Sequence, residues 1–100
     1  MHTMQPLPFA VYVLRSRVDG RLYTGFTTNL PSRLADHATG GTTSTACRRP
    51  LDLVYCEFHL IESDARRREG YLKTSAGKRA IRQMIRDCLR SQRAESPETW

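Results

Sequence analysis

The chain has 100 residues, 39% of them hydrophobic and 26% charged, which is enough for one compact domain with a modest core and too few for two. Its net charge is +6, and fourteen of its sixteen basic residues are Arg, whose planar fork of donors matches phosphate oxygens, so a polyanionic partner is expected. No run approaches the ~18–20 apolar residues of a membrane span. Cys47, Cys56 and Cys88 form no C-x-x-C pair, so neither a disulfide framework nor zinc is expected; with no secretory pattern in the first residues, the expected setting is the cytoplasm.

Residues 1–8, with two prolines, are expected to form a flexible lead-in, 9–93 a single domain and 94–100 a flexible tail. Phe9–Ser16 is rich in β-branched and aromatic residues and apolar on both faces, which predicts a central strand. Asp19-Gly20 signals a hairpin turn of type I′, and Arg21–Phe26 returns antiparallel to the first strand, putting Tyr12 and Tyr23 on facing strands. Thr27-Thr28-Asn29 offers caps for a helix over Leu30–Ala38, with Pro31 in its first turn and Gly40-Gly41 at its end. A polar loop from Thr42 to Pro50 leads into a third strand, Leu51–Leu60. Ser63 is the expected cap of a second helix, and Gly70 within it suggests a close neighbour. Gly77 is expected to break the chain before a third helix from about Lys78 to Arg93, with Ile81, Met84, Ile85, Cys88 and Leu89 as its apolar stripe. The predicted fold is α+β: a small three-stranded antiparallel sheet flanked by helices in the order β-β-α-β-α-α.

Phe9 to His37 concentrates the polar chemistry. Tyr12, Tyr23, Arg33 and His37 can converge, the last two because four residues on a helix return to the same face. Each has a bland alternative: strand aromatics for the tyrosines, a surface charge for Arg33, a helix-end dipole partner for His37, and for Glu69 an ion pair with Lys73 one turn on.

The order of motifs decides between these readings. Ala10-Val11-Tyr12, a hairpin, then Tyr23-Thr24-Gly25, followed by Thr27, Leu30, Arg33-Leu34 and His37, resembles the paired motif of the GIY-YIG nuclease superfamily. Arg48-Arg49-Pro50, Leu53-Val54-Tyr55, then Ala65, Arg68-Glu69 and Leu72-Lys73 continue the likeness over roughly residues 9–86. It is especially close to small single-domain bacterial members and is similar to the N-terminal domain of excinuclease C. Ala10-Val11 stands where the family has Gly-Ile, and Thr24 where it has Ile.

The resemblance implies metal-dependent hydrolysis of DNA, leaving a 5′-phosphate and a 3′-hydroxyl. Tyr12, Tyr23, Arg33, His37 and Glu69 are the implied catalytic residues, with Tyr12 or Tyr23 as base and His37 as its partner. A two-metal site needs several convergent carboxylates, and this set offers one, so Glu69 is expected to hold a single Mg²⁺ or Mn²⁺ completed by waters and phosphate oxygens. Arg48, Arg49, Arg66 and Lys73 are the expected DNA contacts. The expectation is an endonuclease or nicking enzyme of low sequence selectivity, acting on branched, damaged or single-stranded DNA in repair or recombination, with targeting open to a partner protein. The alternative is a non-catalytic nucleic-acid-binding module.

Overall fold

The computed structural model describes residues 5–95; the expectations for 1–4 and 96–100 lie outside the described residues. Two β-branched and aromatic runs pair first: β1, Phe9–Ser16, and β2, Leu22–Thr27. They are antiparallel, with Tyr12 opposite Gly25 and Leu14 opposite Tyr23. The connection differs from the expected two-residue turn. Ser16 and Arg21 close a four-residue loop, and Gly20 alone has positive φ, whereas type I′ needs it at both central positions. Ser16, fully buried, fixes this loop: its hydroxyl donates to the Arg48 carbonyl and accepts from the Val18 N–H.

The third strand, β3 (Leu51–His59), pairs antiparallel with the other side of β1, giving the order β2-β1-β3. The doubly apolar β1 is therefore central, as its pattern required, and its Val11 and Val13 are fully buried. β3 is an edge, which explains why its Leu53 and Phe58 remain exposed. A bulge between Val13 and Leu14 gives β3 one extra residue, Val54, which packs into the core.

The helix α1, Leu30–Thr39, starts at the expected cap: Asn29 Oδ1 accepts from the Ser32 N–H at 3.1 Å, and Gly40 ends it at φ 84°. The expected loop after it contains a single helical turn, α2 (Thr43–Ala46). α3 spans Glu62–Lys73, so Ser63 lies inside it; Ile61 precedes it without any side-chain cap. Glu62 and Asp64 instead place negative charge at its positive end.

Gly77 does not break the chain. It sits in the first turn of α4, Ser75–Met84, capped by Thr74, and the long third helix divides at Ile85, before α5, Arg86–Glu95. α3, α4 and α5 cover one sheet face through Ala65, Leu72, Ile81 and Leu89, while Met84, expected in the stripe, is exposed because the stripe is interrupted beside it. The opposite face carries Tyr12 and receives α1. With its antiparallel sheet, this is the α+β arrangement the residues predict, with one helical turn (α2) added before β3 and the last helix divided in two.

Candidate active site

Tyr12 lies in the central strand and is almost fully buried. Its phenol runs across Gly25 on β2, where a Cβ would collide with the ring and hydroxyl. The ring meets His37 edge-on at 5.6 Å between centroids, and the phenol oxygen is 2.9 Å from His37 Nε2. The other imidazole nitrogen, Nδ1, is 2.7 Å from the Thr45 hydroxyl on α2, and that hydroxyl reaches the Thr42 carbonyl at 3.5 Å. With the Thr45 proton directed to the carbonyl, Nδ1–H donates to Thr45 and Nε2 is left to accept from Tyr12. Burial, then the Arg33 charge, holds His37 below the ordinary histidine value, so it is neutral at neutral pH and fit to accept. Burial also raises the Tyr12 phenol; Arg33 opposes that rise and Glu69 adds to it.

A cleft of about 560 Å³ opens over this pair. Tyr12, Tyr23, Arg33 and His37 all line it: Tyr12 and Tyr23 share a sheet face as diagonal cross-strand neighbours, and α1 brings Arg33 and His37 on one side. Lys73, Lys78 and Arg82, from the α3–α4 elbow, and Arg21, from the start of the hairpin return, form its basic rim. Among the described residues lining the cleft there is no carboxylate. Thr24, Thr42, Ser44 and Thr45 also line it.

Glu69 stands just behind that rim. Its carboxylate is 3.0 Å from Lys73 Nζ, so the ion pair named as its bland alternative is present, and its charge reaches the Tyr12 phenol. The neighbouring Arg68 turns to the sheet instead, where its Nε donates to Glu57 on β3 and Tyr55 and His59 also converge.

Three of the expected DNA contacts lie elsewhere. Arg48 pairs with Asp19 at 3.4 Å, and Arg49 packs against Gly40 and donates to the Ala46 carbonyl. Arg66 lies over the Phe26 ring and pairs with Glu62. The fold thus uses these guanidinium groups to tie loops and helix to the sheet, and Lys73 alone of the four reaches the cleft. Arg21, Lys78, Arg82 and Thr45 are not among the site residues expected from the sequence. The signal for two of them was present, since Lys78 and Arg82 are four residues apart on one helical face.

Residues 8–82 match the GIY-YIG catalytic domain. The chain belongs to that family. This GIY-YIG domain is 46% identical over 65 residues to a UPF0213 protein of Staphylococcus haemolyticus, covering 64% of this chain and 78% of that one. It is 37% identical over 73 residues to a UPF0213 protein of Staphylococcus aureus, covering 72% and 88%. The solution NMR structure of the UPF0213 protein BH0048 from Bacillus halodurans shares its fold, with a TM-score of 0.50 and 32% identity over 76% of this chain and 83% of the other. The likeness is therefore to small bacterial GIY-YIG proteins, and it extends from the sequence to the three-stranded antiparallel sheet.

Proposed function

We propose that this GIY-YIG domain hydrolyses phosphodiester bonds in DNA as an endonuclease or nicking enzyme. The observation that carries the reading is the chain Tyr12–His37–Thr45, buried at the floor of a cleft whose rim is basic. A phosphate drawn to that rim meets Arg33, whose fork neutralises charge developing on the phosphoryl oxygens. Tyr12 receives the proton of an attacking water as its own proton passes to His37 Nε2, and Thr45 holds the imidazole in the accepting tautomer. Tyr23, on the same face, orients the phosphate or the water. Strand cleavage leaves a 5′-phosphate and a 3′-hydroxyl.

The donor set fits one hard divalent cation. Glu69 is the single carboxylate of the proposed set and is held by Lys73 in this structure. One oxygen donor of this kind would take Mg²⁺ or Mn²⁺ completed by water and phosphate oxygens. Such an ion would supply charge neutralisation at the leaving oxygen.

The substrates that suit this cleft are branched, damaged or single-stranded DNA, read with low sequence selectivity, in repair or recombination in the cytoplasm. A partner protein is the natural source of targeting for a catalytic domain of this size. The Lys73 ammonium against Glu69 favours one rival, a nucleic-acid-binding module without catalysis.

A supercoiled-plasmid nicking assay with Mg²⁺ or Mn²⁺ separates the two. The wild type should nick, and Arg33→Ala should lower the rate by about 10²–10³. Glu69→Gln should abolish metal-dependent cleavage. Salt-dependent DNA binding with no nicking of plasmid, flapped, branched or single-stranded substrates would give the protein to the binding module.

A further inference from the structure

A second basic cleft, of about 520 Å³, lies on the other side of Arg82 from the first. Arg15 of β1, Arg82 of α4, and Arg86 and Arg90 of α5 line it, with Leu89 at its base. Lys78, Arg82, Arg86 and Arg90 follow one another at four-residue intervals, so the stripe that begins at the active cleft continues across the α4–α5 junction into the second one. Two acidic groups are near. Asp19 lines the cleft but is already engaged by the Arg21 N–H and the Arg48 guanidinium, and Asp87 stands 3.8 Å from Arg90. Among the described residues, Arg15, Arg82 and Arg86 form no ion pair. Half-buried Arg15 places its guanidinium against Gly20 of the hairpin loop, which holds it at the cleft rather than in open solvent.

Several guanidinium groups converging without matching carboxylates repel one another unless a polyanion neutralises them. We infer that the Arg15–Arg86–Arg90 cleft binds backbone phosphates of the nucleic-acid strand that runs out of the active cleft past Arg82. The inference rests on the nuclease reading for the course of the strand, but its contact is a separate one. Among the described residues no aromatic side chain lines the second cleft, so these residues offer bases no stacking surface and their contact is blind to sequence. It lengthens the grip on the substrate and fixes the direction in which the strand leaves the hairpin.

The test is equilibrium binding by the full chain carrying Glu69→Gln, with and without Arg15→Gln, Arg86→Gln and Arg90→Gln together. Two labelled single-stranded oligonucleotides are used, one short enough to fill only the active cleft and one long enough to reach both. The triple change should weaken binding of the long oligonucleotide and lower its salt slope by about 2, since ~0.7 counterion is released per single-strand phosphate contact. The short one should bind as before, and Arg→Lys at the same three positions should restore most of the lost affinity. An unchanged long-oligonucleotide slope in a folded triple variant overturns the inference while leaving the active cleft standing. Equal losses for both lengths overturn it too, because the three arginines would then be acting on the active cleft. Failure of the parent Glu69→Gln protein to bind either length overturns this inference, while the nuclease reading stands or falls with the plasmid assay.

Discussion

The Tyr12 phenol occupies the space that any side chain on Gly25 would need. The two are opposite one another across β1 and β2, so the glycine is the channel through which the tyrosine reaches His37. Gly25→Ala should therefore displace the phenol, break its 2.9 Å contact with His37 and abolish nicking. The overpacking should cost about 1–3 kcal/mol. Thermal unfolding and the plasmid assay, run on the same preparation, check both halves. Full activity in Gly25→Ala would mean that the Tyr12–His37 contact is not used.

The lowered His37 pKa makes a second expectation, with a definite sign. Because burial and Arg33 hold the folded value below the ordinary ~6.5, the unfolded chain binds the proton more readily than the folded one. Stability should therefore fall as pH drops below the unfolded value, until the folded histidine also protonates. The acid limb of the cleavage profile should likewise lie below pH ~6.5, where neutral Nε2 is still available to Tyr12. Urea midpoints from pH ~8 to pH ~5 for wild type and His37→Gln measure the first effect, and His37→Gln should flatten that dependence. A rate profile with its acid limb above the ordinary histidine value would contradict the relay.

If Glu69 holds the proposed divalent cation, that ion must compete with Lys73 for the carboxylate. The ammonium sits 3.0 Å from Glu69 and also lines the cleft, so a bound ion would turn Lys73 from Glu69 toward phosphate. Lys73→Gln should bind Mn²⁺ more tightly in the absence of DNA, by roughly fivefold if the lost repulsion is about 1 kcal/mol. It should bind DNA more weakly. Calorimetric titration with Mn²⁺ reads the first effect and fluorescence anisotropy the second, and chelation should stop nicking in the wild type. Unchanged Mn²⁺ affinity in Lys73→Gln would remove Glu69 as the ligand.

How much of this was legible in the sequence depends on the range of the interaction. Tyr12, Tyr23, Arg33 and His37 lie on a hairpin and the helix after it, where period and turn chemistry bring side chains together, and all four line one cleft. Thr45 gave no local signal: a threonine in a polar loop becomes the orienting group of His37 only once α2 folds beneath α1. The loop and helix arginines show the same limit from the other direction. Arg49 and Arg66 carry the charge expected of DNA contacts, but their partners, Gly40 and Phe26, are set by tertiary packing. Composition supplied the sign of the surface; only the fold says which cations are free to use it.

Gly70 and Gly77 make the last case, because the close approach that the sequence suggests at Gly70 is found at Gly77 instead. Gly70 lies in exposed α3 with open space where its Cβ would stand, so nothing requires a glycine there. Gly70→Ala should stabilise the domain by about 0.5–1 kcal/mol through helix propensity and reduced freedom of the unfolded chain. Gly77 is buried at the α3–α4 elbow, where a Cβ would run into the Tyr71 carbonyl and the Leu72 backbone. Thr74 pins this elbow from both sides: its hydroxyl donates to the Tyr71 carbonyl at 2.6 Å and accepts from the Gly77 N–H at 3.0 Å. Backbone on one side and a capped helix on the other leave no flexible group to give way. Gly77→Ala should therefore cost at least the ~1–3 kcal/mol of a strained, overpacked core and push α4 outward, taking Lys78 and Arg82 off the cleft rim. Urea unfolding of the two variants, each against wild type, should move the midpoint in opposite directions, and DNA affinity should fall only in Gly77→Ala. Shifts of the same sign would show that the α3–α4 elbow is not packed as tightly as its backbone contacts require.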